Sequence, residues 1–373
     1  MMRTALHLAV LPAMLSVTPL IIDTDMGGGG CRDVDDVAAV CMAAALVHRG
    51  EAELLAVVHN TIPEQVAGVT SVLLTYYGLE HSVVLGSYKG KALRDVKALS
   101  YATDLVQHWP SPVKNASATE DALTVYRRVL ASQPEDRSVT ISSIGLLTNL
   151  DDLLASAPDE HSPLSGVDLV ARKVKRIAVM GGVYPLSSGA AAEAMAAAAH
   201  GDAEMHGGLG CECNFCAAYN GGIDHAAASA ASARVLARVP SSVEVVYSGL
   251  EVGLRVQSGG ALSRCAPAAD PCRQAFVDYE GGPGRSRFSW DPLTTLMAVR
   301  GPEAVACRAC ATGPCAGVNS VDAASGRNAW KHGPPSNQSY LLLSDSHAAG
   351  RAIDELLCEP PSPSAARSPS RPR

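Results

Sequence analysis

Short apolar runs alternate along this chain with longer segments in which apolar residues return every three or four positions. The short runs, which we predict to be β-strands, lie at residues 19–23, 54–59, 82–86, 138–144, 176–181 and 243–248. The longer segments, which we predict to be helices, lie at 37–48, 65–77 and 118–131. This alternation is typical of an α/β protein with a doubly wound, mostly parallel open sheet flanked by helices, a Rossmann-like core.

The pattern also divides the chain into a single large domain and two terminal segments. We predict one domain over residues 19–358, because neither an internal repeat nor a linker rich in proline and glycine interrupts it. Residues 1–18 are a signal peptide or an N-terminal extension, so the location of the protein stays open. Residues 359–373 have the composition of a disordered tail. The alanine-rich and then glycine-rich stretch at 189–210 is an inserted loop, with a helix as the alternative.

Composition narrows the class of function. The 373 residues carry 37 acidic and 30 basic side chains, for a formal net charge of −7. A nucleic-acid-binding protein normally has a basic surface, so we expect a small-molecule partner instead. Every apolar run is too short to span a bilayer. Aromatic residues make up only 4% of the chain, which predicts a core of small aliphatic side chains.

The sequence contains 11 cysteines, an odd number that leaves at least one thiol unpaired. Cys307 and Cys310 have the spacing of half a zinc site, but no second pair of ligands completes it. Disulfides, or inert buried thiols, are the simpler interpretations.

Five aspartates lie at or shortly after the end of the first predicted strand: Asp23, Asp25, Asp33, Asp35 and Asp36. Carboxylates that are forced together repel one another unless protons or a cation compensate. A set of oxygen donors without histidine or cysteine favours a hard cation, Ca²⁺ or Mg²⁺. The alternative is a solvated turn in which Asp33 or Asp35 caps the following helix.

Other polar segments also follow predicted strands, and in a parallel sheet the ligand crevice lies beyond these strand ends. His59 and Asn60 follow the second strand, and residues 145–149 follow the fourth. Met180 and two glycines end the fifth strand. We therefore expect these segments and the aspartates to line one crevice.

Taken in order, these segments resemble the motifs of the inosine-uridine preferring nucleoside hydrolase family. The matching motifs are Asp-Thr-Asp-Met-Gly at 23–27 with Asp-Val-Asp-Asp at 33–36, Gly-Leu-Leu-Thr-Asn-Leu at 145–150, Met-Gly-Gly at 180–182, Glu-Cys-Asn-Phe at 212–215 and Ser-Trp-Asp-Pro-Leu at 289–293. The Asp-Val-Asp-Asp segment is similar to that of eukaryotic-type members. The resemblance extends from residue 20 to residue 357.

The resemblance implies a nucleoside N-ribohydrolase that cleaves the N-glycosidic bond of ribonucleosides to free base and ribose. It implies one Ca²⁺, bound by Asp25, Asp36, the backbone carbonyl of Thr148 and Asp291. Asp25 would also act as the general base that takes a proton from the Ca²⁺-bound water. Asp23 would have a supporting role.

The resemblance also implies which residues contact the nucleoside. Asp35 and Asn60 would bind the 2′- and 3′-hydroxyls of ribose. Glu212 and Asn214 would hold the 3′- and 5′-hydroxyl side, and Trp290 would stack on the base. The implied partner is thus a nucleoside. Composition argues against nucleic acid and a membrane span, and a homo-oligomer is possible.

Two departures from the family pattern bear on activity. Residues 26–34 make the spacer between Asp25 and Asp35 longer than is usual in the family, and 27–30 are all glycine. Asp33 could therefore take the role assigned to Asp35.

The second departure is Trp290, which stands where many pyrimidine-active members have a histidine. An indole does not protonate a leaving base, so the proton donor is unassigned. The candidates are His59, His206, His225 and Tyr219.

Two other functions remain open from the sequence. One is a nucleoside-binding relative that keeps the fold but is catalytically impaired. The other is a Mg²⁺-dependent phosphohydrolase that uses Asp23 and Asp25 as nucleophile and acid. Such an enzyme needs a late acidic pair, and only Asp291 stands late in this chain.

Overall fold

A computed structural model describes residues 17–27, 31, 33–61, 64–90, 98–185, 211–216 and 224–361. The predicted insertion at 189–210 lies outside these residues, as do most of the predicted N-terminal segment and most of the predicted tail. The first strand begins at Thr18, and Glu359 accepts a hydrogen bond from Arg49 at 2.6 Å.

The centre of the molecule is a nine-stranded sheet with the strand order β10-β13-β7-β6-β5-β1-β2-β3-β4. The strands are β1 Thr18–Thr24, β2 Ala52–His59, β3 Val84–Ser87, β4 Glu120–Asp121, β5 Val139–Ile144, β6 Val174–Met180, β7 Glu244–Ser248, β8 Gln257–Ser258, β9 Arg287–Phe288, β10 Cys307–Cys310, β11 Gly317–Val321, β12 Asn328–His332 and β13 Gln338–Leu343. Only β10 runs antiparallel to its neighbour within this sheet. The strand order reverses direction at β1, which lies between β2 and β5.

Helices cover both faces of the sheet. They are α1 Asp35–His48, α2 Val66–Tyr77, α3 Ser100–His108, α4 Ala122–Ser132, α5 Thr148–Ala155, α6 Gly166–Lys173, α7 Cys213–Cys216, α8 His225–Arg238, α9 Leu250–Gly253, α10 Leu262–Cys265, α11 Pro271–Glu280, α12 Trp290–Arg300 and α13 Ser346–Leu357. Helices α1, α2, α12 and α13 share one apolar core, and α4, α5 and α6 share the other.

Strand β1 shows why the apolar runs are continuous rather than alternating. Leu20 and Ile22 pack into the core on one face of the sheet, and Ile21 packs into the core on the other. A parallel strand that is covered on both faces needs apolar side chains at successive positions. Helix α1 is buried from Asp35 to Leu46, which its many alanines make sterically feasible.

The predicted doubly wound, mostly parallel open sheet is confirmed. All six predicted strands are present, with ends that differ by a few residues. The helix predicted from residue 118 begins at Ala122, because Glu120 and Asp121 form a short edge strand against β3. The sequence pattern did not predict β10 or β13.

Ten of the cysteines form disulfides, and Cys307 is a buried free thiol. The pairs are Cys31–Cys213, Cys41–Cys272, Cys211–Cys216, Cys265–Cys358 and Cys310–Cys315. The zinc alternative is therefore wrong, since Cys310 is bonded to Cys315 and is not available as a ligand beside Cys307. Among the described residues, we find no helix that is long and apolar enough to cross a membrane.

The position of β1 predicts where the fold is most sensitive to truncation. Ile22 is fully buried in the central strand, so Ile22→Ala should lower the free energy of unfolding by about 2–5 kcal/mol. Val318→Ala is the control, because that side chain is 39% exposed and its loss should change stability by less than about 0.5 kcal/mol. Urea unfolding followed by circular dichroism measures both. Equal losses in the two variants would contradict this account of the core.

Candidate active site at the carboxyl edge of the sheet

The polar strand-end segments meet where the strand order reverses. Strands β1 and β5 are parallel neighbours, so Asp25 after β1 and Thr148 after β5 lie at the same edge of the sheet. Asn60 follows β2, the neighbour of β1 on its other side. An open parallel sheet forms its ligand crevice at this switch point.

Three buried carboxylates converge at this edge. Asp35 and Asp36 lie in the first turn of α1, and Asp291 lies in the first turn of α12. One carboxylate oxygen of each lies within 4.8 Å of those of the other two. Asp35 also accepts hydrogen bonds from the backbone N–H groups of Trp290 at 3.0 Å and Asp291 at 3.1 Å. The two helix N-termini are thus joined through one carboxylate.

Ionisation of the carboxyl groups in this cluster is unfavourable. Burial and neighbouring carboxylates raise the pKa of Asp35, Asp36 and Asp291 well above the usual range. A bound hard cation would offset both the desolvation and the repulsion that raise these pKa values, and the donors are all oxygen atoms. The residues present therefore fit a Ca²⁺ or Mg²⁺ ion.

Asp25 lies beside this cluster. Its charge raises the pKa of both Asp36 and Asp291. Its Oδ2 atom accepts a hydrogen bond from the backbone N–H of Cys31 at 2.5 Å. The sequence did not predict Asp35 as a metal ligand, although the structure groups its carboxylate with those of Asp36 and Asp291.

Asp23 holds the strand ends together. Its Oδ1 atom accepts hydrogen bonds from the side-chain amides of Asn60 and Asn149, each at 2.9 Å, and its Oδ2 atom accepts one from the Tyr126 hydroxyl at 2.8 Å. Burial raises the pKa of Asp23 to about 7, and these hydrogen bonds partly oppose that rise. The sequence did not single out Tyr126 or the Asn149 side chain as partners of Asp23.

Asn60 and Thr148 also bind within the protein. The Oδ1 atom of Asn60 accepts a hydrogen bond from the backbone N–H of Leu146 at 3.1 Å. The hydroxyl of Thr148 donates to the backbone carbonyl of Asn60 at 3.1 Å. The contacts of Asn60 with ribose and of the Thr148 carbonyl with a metal stay predictions.

Glu212 and Asn214 are packed against the two-glycine turn after β6. Glu212 accepts hydrogen bonds from the backbone N–H groups of Gly182 at 2.9 Å and Asn214 at 3.0 Å. Burial raises the pKa of Glu212 to about 7. Gly182 has φ +81°, and a Cβ there would lie 2.8 Å from the ring of Phe215, so this turn requires glycine. Two motifs that are distant in sequence thus form one packed unit.

Trp290 is buried, so little of its surface is accessible to a ligand. Its side chain donates a hydrogen bond from Nε1 to the backbone carbonyl of Leu250 at 3.0 Å, and the residue is 5% exposed. Its stacking on a nucleobase stays a prediction.

The histidine candidates for the leaving-group donor differ in their surroundings. His59 is fully buried between the carbonyl of Gly86 and the hydroxyl of Thr70, and burial lowers its pKa to about 4. It is therefore neutral near pH 7 and poorly suited as an acid. His225 bonds the carbonyl of Cys216 at 2.6 Å. His206 and Tyr219 lie outside the described residues.

The surplus aspartate, Asp33, has a partner that the sequence did not predict. Its carboxylate forms a two-pronged ion pair with Arg287, with 2.7 Å between Oδ2 and Nη2. Within the part of the chain that the structure describes, no side chain caps α1, whose N-cap residue is Val34, so the capping alternative for Asp33 or Asp35 is wrong. In the sequence, the only indication of this ion pair was that Arg287, a basic residue, lies shortly before the Trp-Asp-Pro motif.

A second residue that the sequence missed is Glu251, in the short helix that follows β7. One carboxylate oxygen accepts a hydrogen bond from the backbone N–H of Tyr184 at 3.3 Å. The other is buried without a partner among the described residues. Burial raises the pKa of Glu251 to about 8, and the charge of Glu212 adds to the rise. The only indication of Glu251 in the sequence was its position, as an acidic residue soon after a predicted strand.

The raised pKa of Glu251 predicts a pH-dependent stability. The pKa of Glu251 is raised from 4.5 to about 8 in the folded protein. The protonated carboxyl group therefore contributes fully to the free energy of unfolding below about pH 4.5, and this contribution is lost as the pH rises to about 8. Glu251→Gln has no such proton to lose. The melting temperature of the wild type should therefore fall relative to the variant between pH 5 and pH 8, by at least about 2 °C. A difference that is constant over this range would contradict the assignment.

Comparisons with known proteins place the chain in a family. The chain matches the model of the family described as inosine-uridine preferring nucleoside hydrolase over residues 20–338. No curated protein matches it.

Solved structures share its fold at low sequence identity. The effector protein XOO4466 is 14% identical, with 92% of this chain and 93% of that chain covered and a TM-score of 0.60. The type III effector XopQ, complexed with adenosine diphosphate ribose, is 16% identical, with 92% of each chain covered and a TM-score of 0.58. An inosine-guanosine nucleoside hydrolase is 17% identical, with 91% and 98% covered and a TM-score of 0.59. Because the family match extends over most of its length, this chain belongs to the inosine-uridine preferring nucleoside hydrolase family.

Proposed function

We propose that this protein hydrolyses the N-glycosidic bond of ribonucleosides to free base and ribose. The observation that carries the proposal is the group of buried carboxylates at the switch point of the sheet, formed by Asp35, Asp36 and Asp291 with Asp25 beside them. Membership of the family supports this reaction. One structural neighbour is an inosine-guanosine nucleoside hydrolase, which is consistent with it.

The donor set favours Ca²⁺ at this cluster. Asp25, Asp36, Asp291 and the backbone carbonyl of Thr148 would hold the ion, with the carboxylate of Asp35 next to it. When bound, Ca²⁺ would lower the pKa of a coordinated water and bind the ribose diol. The same ion would compensate the repulsion among these carboxylates.

Asp25 is the proposed general base. Its carboxylate would take the proton from the attacking water while the bond between ribose and base breaks. The hydrogen bond from the Cys31 N–H fixes one of its oxygens. Positive charge that develops on the ribosyl carbon would be stabilised by the surrounding carboxylates.

The remaining polar residues would select a ribonucleoside. Asp35 and Asn60 would bind the 2′- and 3′-hydroxyls, and Glu212 and Asn214 the 3′- and 5′-hydroxyl side. With a pKa of about 7, Glu212 is available near neutral pH both as a donor and as an acceptor. A buried group that pairs with a hydroxyl rejects a deoxynucleoside, because the group would be left unpaired.

A catalytically impaired nucleoside-binding relative is the second candidate. Trp290 stands at the sequence position where many pyrimidine-active members have a histidine, and its Nε1–H donates to the backbone carbonyl of Leu250. His59 has a pKa of about 4 and offers no proton near pH 7. The structural neighbour XopQ was solved in complex with adenosine diphosphate ribose. These observations favour binding without turnover over a phosphohydrolase.

Replacing the general base tests the reaction directly. With inosine, uridine and adenosine in the presence of Ca²⁺, the wild type should release ribose, and Asp25→Asn should lower kcat by about 10²- to 10⁴-fold. Asp136→Asn is the matched control, since Asp136 is an exposed carboxylate that precedes β5, at the opposite edge of the sheet. It should leave kcat unchanged.

Three results, from this assay and from two further measurements, would contradict the proposal. Full turnover by Asp25→Asn would exclude the assigned base. Calorimetric binding of nucleosides without any release of ribose would favour the impaired relative. Mg²⁺-dependent cleavage of p-nitrophenyl phosphate without ribose release would favour the phosphohydrolase.

Ca²⁺ binding has its own expected signature. At a Ca²⁺ concentration about 100 times its Kd, the ion should stabilise the protein by about 2.7 kcal/mol, measured as a rise in melting temperature. The rise should be larger at pH 8 than at pH 5, because burial raises the pKa of Asp36 and Asp291 and protons compete with the metal. Asp291→Asn should abolish the rise and Asp136→Asn should not. A rise that is equal in all three proteins would count against this site.

A further inference from the structure

The structure assigns a positioning role to the disulfide between Cys31 and Cys213: we propose that it holds the general base and the ribose-binding residues in register. The inference rests on the proposed function, since it concerns the same site. It extends that function to two cysteines that have no role in the proposed chemical step.

The disulfide joins two parts of the site that are far apart in sequence. Its two cysteines are separated by 182 positions, and their Cα atoms lie 5.8 Å apart. Cys31 donates its backbone N–H to the carboxylate of Asp25 at 2.5 Å. Cys213 lies between Glu212 and Asn214, both of which are buried. One covalent bond therefore connects the hydrogen-bond donor of the base to the loop that would hold ribose.

The loop on the other side of the bond is itself constrained. A second disulfide, Cys211–Cys216, closes the short segment that carries Glu212 and Asn214. Glu212 and Asn214 also bind the turn after β6, through Gly182 N–H and the Met180 carbonyl. The disulfide therefore attaches Cys31 to a loop that other contacts already hold in place.

The sequence before Cys31 gives a reason for such an attachment. Residues 27–30 are all glycine, and glycine loses more backbone entropy on ordering than any other residue. A cross-link removes many of the alternative conformations of such a segment. The disulfide would therefore keep the N–H of Cys31 aimed at Asp25 in spite of the long spacer.

A pair of double variants tests this inference. Cys31→Ser with Cys213→Ser removes the proposed clamp. Cys265→Ser with Cys358→Ser is the matched control, because it removes another long-range disulfide, which ties α10 to the C-terminal end of α13. Both double variants leave no additional unpaired thiol.

We expect the clamp variant to lower kcat/KM for ribonucleosides at least tenfold, through a raised KM and a lowered kcat, while the control stays within twofold of the wild type. Both variants should lose thermal stability, so a kinetic loss confined to the clamp variant is not explained by stability. Wild-type kinetics in the clamp variant would overturn the inference.

Two further measurements test this inference even if the proposed function is wrong. If the wild type binds inosine or uridine without hydrolysing it, calorimetry should show at least tenfold weaker binding in the clamp variant and unchanged binding in the control. If it neither binds nor hydrolyses them, hydrogen exchange of the segment 212–216 should be faster in the clamp variant alone. Unchanged exchange, or a wild-type peptide map without the Cys31–Cys213 linkage, would overturn the inference.

Discussion

Repulsion among buried carboxylates is the constraint on which the arrangement of this molecule depends. Asp35, Asp36 and Asp291 are each 5% exposed or less, and burial raises the pKa of all three. The charge of Asp35 raises the pKa of Asp36 and Asp291 further, and the charge of Asp36 raises that of Asp291. Two features offset this cost in the protein itself. The three residues lie at helix N-termini, where the helix dipole favours negative charge, and Asp35 accepts two backbone hydrogen bonds. The rest of the compensation is left to protons or a cation.

The composition of the helices makes such deep burial of charge feasible. Helix α1 carries its two aspartates into the centre of the molecule because alanines and other small residues let neighbouring elements approach it from all sides. Around it, ion pairing and hydrogen bonding deal with the other carboxylates. Arg287 neutralises Asp33, and three side-chain donors bind Asp23. Each acidic residue after β1 therefore has a distinct electrostatic environment.

Local pattern was sufficient to predict the doubly wound sheet and the strand ends that bear polar residues, because a buried parallel strand is recognisable as a short apolar run. It was not sufficient for contacts between distant residues. The pair of Asp33 and Arg287 joins positions 254 apart, and neither flanking sequence signals the other. The disulfide pairs could not be deduced from eleven cysteines by spacing. Glu251 could not be identified from the sequence, because its raised pKa results from burial and burial depends on the fold.

The place of β1 between β2 and β5 also determines how the chain assembles. During synthesis β1 can pair with β2 soon after both leave the ribosome, since they are neighbours in sequence. Its other edge has to wait for Val139–Ile144, and α12, with Asp291, arrives later still. Until those residues have been synthesised, this edge of β1 lacks its native partner strand. The carboxylate cluster is consequently complete only after most of the chain has been synthesised.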